Sequence, residues 1–232
     1  MAKLRNLKQP YWYLGNGQLT PEFGRFQVEF MNLTHVPYHN RHFYFRGWEY
    51  WTVLRHLDLD ENDKVLEIGC ARHYTPVWLA QTAGEVVCID NGRWEEITDC
   101  IEHYTVEQWY SEIVKYRTPG VISVMRRDVQ SMPFPDNYFD AIVTFSVLEH
   151  VADDKLASEE MYRVLKPGGL CVGTVDFGNP SDAVYENYMY SNQTFHEHIV
   201  QPAGWEYVAR PEPATLPAGH RGSMLYLLRK GE

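Results

Sequence analysis

The chain is short of cysteine, of basic residues relative to acidic ones, and of long apolar runs, and each shortage removes a class of function. Its four cysteines (Cys70, Cys88, Cys100 and Cys171) are scattered through 232 residues with no C-x-x-C pair. That excludes a disulfide-stapled scaffold and a thiolate metal site, and reads as reduced, buried thiols. No stretch approaches the roughly 20 apolar residues that cross a bilayer. The opening MAKLRNLKQPYWYLGNG is basic but has no apolar core of a secretory signal, so a cytoplasmic chain without membrane contact is expected. Basic residues number 21 against 31 acidic, a net charge of −10. A field of that sign opposes general binding to nucleic-acid phosphates.

Against those shortages stand 44% hydrophobic and 14% aromatic residues, too many for a disordered chain. The length suits one large α/β domain with a continuous core. Thirteen of the thirty-three aromatics precede residue 52, and residues 1–51 carry a net +3. The first fifth of the chain is compositionally distinct. Residues 1–46 are expected to form a cap or lid segment and residues 47–232 the main domain.

Apolar periodicity places the elements. GWEYWTVLRHL (47–57) has the spacing of a helix. KVLEIG (64–69), EVVCID (85–90), VISVMRRD (121–128), YFDAIVTFSV (138–147) and GLCVGTVDF (169–177) are runs of buried strands. Between them the pattern predicts helices, one with Thr75 as N-cap and Pro76 at its first position, one within 93–117, and one over 153–165 closed by KPGG. Alternating strands and helices predict a doubly wound, Rossmann-like, mostly parallel sheet. WEYVAR (205–210) and SMLYLLRK (223–230) are strands joined without a helix, which places an antiparallel partner near the sheet edge.

In such a sheet ligands lie beyond the carboxyl ends of the strands. The first strand ends in Glu67-Ile68-Gly69-Cys70-Ala71-Arg72, the second in Asp90, the third in Asp128, the fourth in Ser146 to His150, and the fifth in Asp176. Asp90, twenty-three residues after Glu67, suits the two hydroxyls of a ribose. A dinucleotide site wants G-x-G-x-x-G, whereas Ala71 and Tyr74 occupy the second and third glycine positions here. The loop reads against a nicotinamide cofactor.

VLEIGC, VVCID, RRDVQSMPFPDNYFDAIVTFSVLEHV and EEMYRVLKPGGLCVGTVDF, in that order, resemble the class I S-adenosylmethionine-dependent methyltransferase family, in its small-molecule, methyltransferase type 11-like branch. The resemblance runs from about Trp48 to Phe177 and weakly on to the end. It implies seven strands with the last antiparallel. It implies S-adenosylmethionine as cofactor, with Glu67 and Gly69 holding the methionine end and Cys70, Ala71 and Asn91 also among the cofactor-binding residues. Asp90 would take the ribose, Asp128 and the Val129 N–H the adenine, and Ser146 and Val147 would line the methyl-transfer site. The family's G-x-G-x-G is here G-C-A-R-H.

A hydroxyl acceptor needs a base, and His150, on the cofactor rim, ranks ahead of His196 and His198 in FHEHI. The basic, aromatic first segment offers Tyr13, Arg41 and Arg46 to an anionic small-molecule acceptor, with Asp176 at the fifth strand's end. His35, His39 and His42 have metal-ligand spacing, yet Ser146 stands where metal-dependent relatives place an acid, so no metal is expected. The expected reaction is methylation of a small molecule, at oxygen before nitrogen: a saccharide, sugar acid or natural-product intermediate. The competing readings are a catalytically silent cofactor-binding subunit and a methyltransferase acting on RNA or protein.

Overall fold

A computed structural model describes residues 3–4, 21–34, 41–70, 73–93, 105–178, 188–209 and 222–232, with backbone alone for 3–4 and 41–46. Strand β1 (Lys3–Leu4) pairs antiparallel with β2 (Leu57–Asp58). Between them lie helices α1 (Pro21–Thr34) and α2 (Arg41–Leu54). Then β3 (Lys64–Ile68), α3 (Thr75–Leu79), β4 (Glu85–Asp90), α4 (Val106–Ile113), β5 (Val121–Arg126), β6 (Phe139–Phe145), α5 (Asp154–Val164) and β7 (Leu165–Phe177) alternate. Helix α6 (Asn192–Phe195) continues through a π turn (His196–Val200) into α7 (Gln201–Ala203), and β8 (Glu206–Ala209) and β9 (Gly222–Arg229) close the chain.

The main sheet has seven strands in the order β5-β4-β3-β6-β7-β9-β8. β3 to β7 are mutually parallel, and β9 runs antiparallel between β7 and β8. This is the expected Rossmann-like sheet, with the antiparallel last strand one place in from the edge. From β3 the chain winds outward to β5, then returns to β6 and winds the other way. The β3/β6 junction is therefore the switch point, the place where open α/β sheets hold their ligands.

Strand alternation divides the core. Val65, Val86, Val143 and Val172 face α1 to α4, while Leu66, Ile68, Val87, Ile142 and Cys171 face α5 and the α6–α7 run. The first layer is aromatic: Phe26 and Phe30 of α1 meet Trp78 of α3, and Phe30 stacks on Tyr50 of α2 at 5.8 Å. The described aromatics of the expected cap segment thus complete this face of the sheet.

Two local expectations are corrected. Helix α2 begins at Arg41, not residue 47, so it runs through the boundary placed at 46/47. Tyr74, not Thr75, is the N-cap of α3, because the Thr75 hydroxyl is spent on Glu67. The 93–117 helix is described from Val106, opened by a capping box between Thr105 and Gln108.

Candidate active site at the strand switch point

Glu67, the last residue but one of β3, is fully buried. Its Oε1 accepts the Thr75 hydroxyl at 2.6 Å and lies 3.2 Å from His73 Nδ1. Its Oε2 is buried with no hydrogen-bond partner among the described residues. Burial pushes the carboxyl up to about 8, partly offset by the Thr75 hydroxyl. The chain then turns at Gly69 with φ +69°, where a Cβ would collide with the Val147 side chain. Only glycine brings β3 this close to the β6 loop.

At the next strand, Asp90 is buried and its Oδ1 accepts the Gly92 N–H at 2.8 Å, holding a tight turn. Exposed Asn91 caps the Arg93 N–H at 3.0 Å, and Arg93 Nη1 donates to the His150 carbonyl at 2.9 Å. A guanidinium thus links the β4 and β6 loops, which flank the end of β3. Beyond β5, half-buried Asp128 accepts the Gln130 N–H at 2.8 Å, beside buried Val129.

Ser146 follows β6 with φ +51°, a left-handed conformation uncommon for serine. The strain is held from two sides. Its N–H donates to the Thr174 carbonyl at 3.0 Å, and its hydroxyl donates to Glu49 Oε2 at 3.0 Å. The Thr174 hydroxyl donates to the same oxygen at 2.7 Å. Buried Glu49, on α2, therefore ties the N-terminal helix to the ends of β6 and β7.

The switch point brings Glu67, Gly69, Asp90, Ser146 and Val147 together. Cys70 turns its thiol inward against Cys88, leaving its backbone for the rim. Exposed His150 stands at the end of a single 3₁₀ turn, Leu148–His150. Asp176 is half-buried, its N–H donating to Glu149 Oε1 at 3.0 Å. His198 and His196 lie on the π turn. His198 Nδ1 is 3.1 Å from Asp154 Oδ2, and its ring stacks on Tyr188. His196 stacks on Tyr207 of β8, whose register partner Leu228 aligns with Cys171, five residues before Asp176. Ala71, Tyr13, His35 and His39 lie outside the described residues, as do the side chains of Arg41, His42 and Arg46. Among the described residues no three metal-ligating side chains cluster.

Residues 66–173 match the methyltransferase domain family model. The ubiquinone/menaquinone biosynthesis C-methyltransferase UbiE of Vibrio cholerae serotype O1 is 34% identical over 93 residues, 39% of this chain and 34% of that protein. Over residues 66–173, just under half of its length, the chain carries a methyltransferase domain of the class I, S-adenosylmethionine-dependent kind. It spans about a third of the length of the curated relatives it matches. Among solved structures, geranyl diphosphate C-methyltransferase from Streptomyces coelicolor A3(2) superposes with a TM-score of 0.64 at 12% identity, covering 92% of this chain and all of that one. The YcgJ protein of Bacillus subtilis gives 0.60 at 16% identity, covering 82% and 100%.

The residues of the methyltransferase domain fit its cofactor. An orphaned, buried carboxylate oxygen at Glu67 suits the approach of a cation, and the glycine-only turn at 69 lets β3 close against Val147 of the β6 loop. The family's remaining motif acids are structural: Arg163 pairs with Asp136 at 2.8 Å, and Lys166 with Asp140 at 2.8 Å. Sequence reasoning did not single out Glu49, His73 or Arg93. The signal for Glu49 was present, as the one acid among the apolar residues of GWEYW. The signal for His73 was its place in the glycine loop. Arg93 carried none, because its partner is a backbone carbonyl 57 residues away.

Proposed function

We propose that the protein transfers a methyl group from S-adenosylmethionine to a small-molecule acceptor. The observation that carries this reading is the joint presence, at one switch point, of the orphaned Glu67 oxygen, the Gly69 turn and buried Asp90. When bound, the cofactor supplies a methyl on a sulfonium that departs as a neutral thioether. Little acid assistance is then required of the chain, whose task is alignment and exclusion of water. Asp90, fixed by Gly92, would hold the ribose; Asp128 and Val129 would hold the adenine; Ser146 and Val147 would flank the reacting methyl. Calorimetry tests this directly. S-adenosylhomocysteine should bind far more tightly than NADH, and Asp90→Ala should weaken it by about 2–4 kcal/mol through loss of charge-assisted hydrogen bonds. Tighter binding of NADH would overturn the reading.

The acceptor follows from the rim. In this reading His150, exposed beside the β6 loop, would take a proton from a hydroxyl acceptor, and the reaction would be O-methylation of a saccharide, sugar acid or natural-product intermediate. Tyr13, Arg41, Arg46 and Asp176 complete the proposed acceptor side, the arginines favouring an anionic one, under the cap formed by residues 1–46. His196 and His198 remain alternative bases, although their partners are Tyr207 and Asp154. A second reading, a carbon acceptor, is favoured by the names of the relatives, both C-methyltransferases. His150→Ala separates the two: a hydroxyl acceptor predicts a kcat loss of roughly 10²–10⁴ with cofactor affinity intact. The buried free thiols of Cys70, Cys88 and Cys171 support a reducing, cytoplasmic setting.

A further inference from the structure

The glycine loop of this chain ends in His73, and the structure shows where that side chain goes. It is folded inward, only 4% exposed, edge-on to Tyr50 at 5.2 Å and to Phe145 at 5.5 Å. Its Nδ1 meets the same oxygen of Glu67 that takes the Thr75 hydroxyl. One carboxylate oxygen is thus doubly engaged while the other has no partner among the described residues. A buried charge so poorly compensated is costly, and the pair resolves this by holding a proton. We propose that His73 and Glu67 form one proton-holding pair beneath the Gly69 turn, and that His73 is a positioning residue which, through Glu67, makes binding of the cofactor's ammonium end release a proton.

The inference rests on the methyltransferase reading and adds to it a proton linkage specific to this loop. The carboxyl's upward displacement by burial agrees with the geometry. Other ionisable groups also face the pair. Cys70 and Cys88 face it from the loop and from β4; the hydrogen bond to Cys88 and then burial raise the Cys70 thiol, and burial raises that of Cys88. Asp90, at the end of β4, faces Cys70, and Tyr50 of α2 meets the imidazole through its ring edge. An incoming ammonium supplies the charge the pair lacks. The carboxyl then ionises, and its proton leaves. The balance is one ammonium bound and one proton released, with no bond made or broken besides that O–H or N–H.

The test is calorimetric titration of the full chain with S-adenosylhomocysteine, from pH 6.0 to 8.5, in two buffers of different ionisation enthalpy. The wild type should release close to one proton per ligand below pH 8, and its affinity should rise about tenfold from pH 6.5 to 7.5. In His73→Asn the carboxyl loses its proton-sharing partner and stays protonated to higher pH. Affinity should fall about tenfold at pH 7 and return toward wild type by pH 8.5. Glu67→Gln should bind weakly with no proton release. A wild type that binds without proton release overturns the proposal whether or not either variant folds, and so does a His73→Asn loss of equal size at every pH. A wild type that binds no S-adenosylhomocysteine at any pH overturns the methyltransferase reading itself.

Discussion

Two buried titratable residues set how stability should change with pH. Glu67 has its carboxyl raised from 4.5 to about 8 by burial. The native state therefore holds this proton more tightly than the unfolded chain. Its contribution is fully present below pH 4.5 and is lost as pH rises through 8. His56 is the opposite case: burial, then the neighbouring Arg55 charge, lowers it from 6.5 to about 4. Its contribution is present above pH 6.5 and is lost as pH falls toward 4. The two oppose each other between pH 4.5 and 6.5, which leaves Glu67 acting alone from 6.5 to 8. At about 1.4 kcal/mol per pH unit, the ligand-free protein should lose about 2 kcal/mol across that window. Urea denaturation at pH 6.5 and 8.0 measures it, and in Glu67→Gln the difference should vanish. Residues of this kind were half legible. Glu67 was found by its place at a strand end, whereas its partners Thr75 and His73 required knowing how the loop folds back.

Among the elements, α1 shows how a segment with weak sequence periodicity becomes part of the core. Phe23, Phe26 and Phe30 recur every three to four residues and are all buried, although the residues between them are polar or exposed. Their partners, Trp51, Trp78 and Tyr50, come from α2 and α3, so the pattern has meaning only once those helices are placed. Phe30 is fully buried between Tyr50 and Trp78. Phe30→Ala should cost about 3–5 kcal/mol, read as a fall in the urea midpoint at unchanged slope. The strands were legible because continuous apolar runs in an α/β pattern have few alternatives; all seven residues of β6 are buried. Helix boundaries were less so. Arg41 to Arg46 extend α2 upstream of the apolar repeat, and nothing in RHFYFR marks a start.

At the scale of the whole molecule, the order of strands followed from the alternation of elements, and the position of the crevice followed from the order. The sequence suggested a cap or lid over residues 1–46, without showing how that segment joins the sheet. A detachable lid would leave residues 47–232 folded without it. The structure ties the segment in at two levels. Phe23, Phe26 and Phe30 share one core cluster with Val65, Val86 and Leu79. Glu49, about two turns into the α2 helix that the segment opens, engages the hydroxyls of Ser146 and Thr174 at the rim of the site. Removing residues 1–46 would strip α1, take the first six residues of α2, and expose Trp78 and Tyr50 to water. Burial of three phenylalanines at roughly 1.5–3 kcal/mol each is comparable to the whole stability of an ordinary domain. A chain beginning at Gly47 should therefore lack a cooperative thermal transition. Residues 21–232 should retain one, because they keep both helices. Hydrogen exchange on the full chain provides the complementary reading. S-adenosylhomocysteine should protect the rim at Gly69, Asp90 and Ser146 most strongly, and α2 through its Glu49 tie, with α1 changing least. A chain from Gly47 that melts like the intact protein, or protection concentrated in α1, would restore the detachable lid.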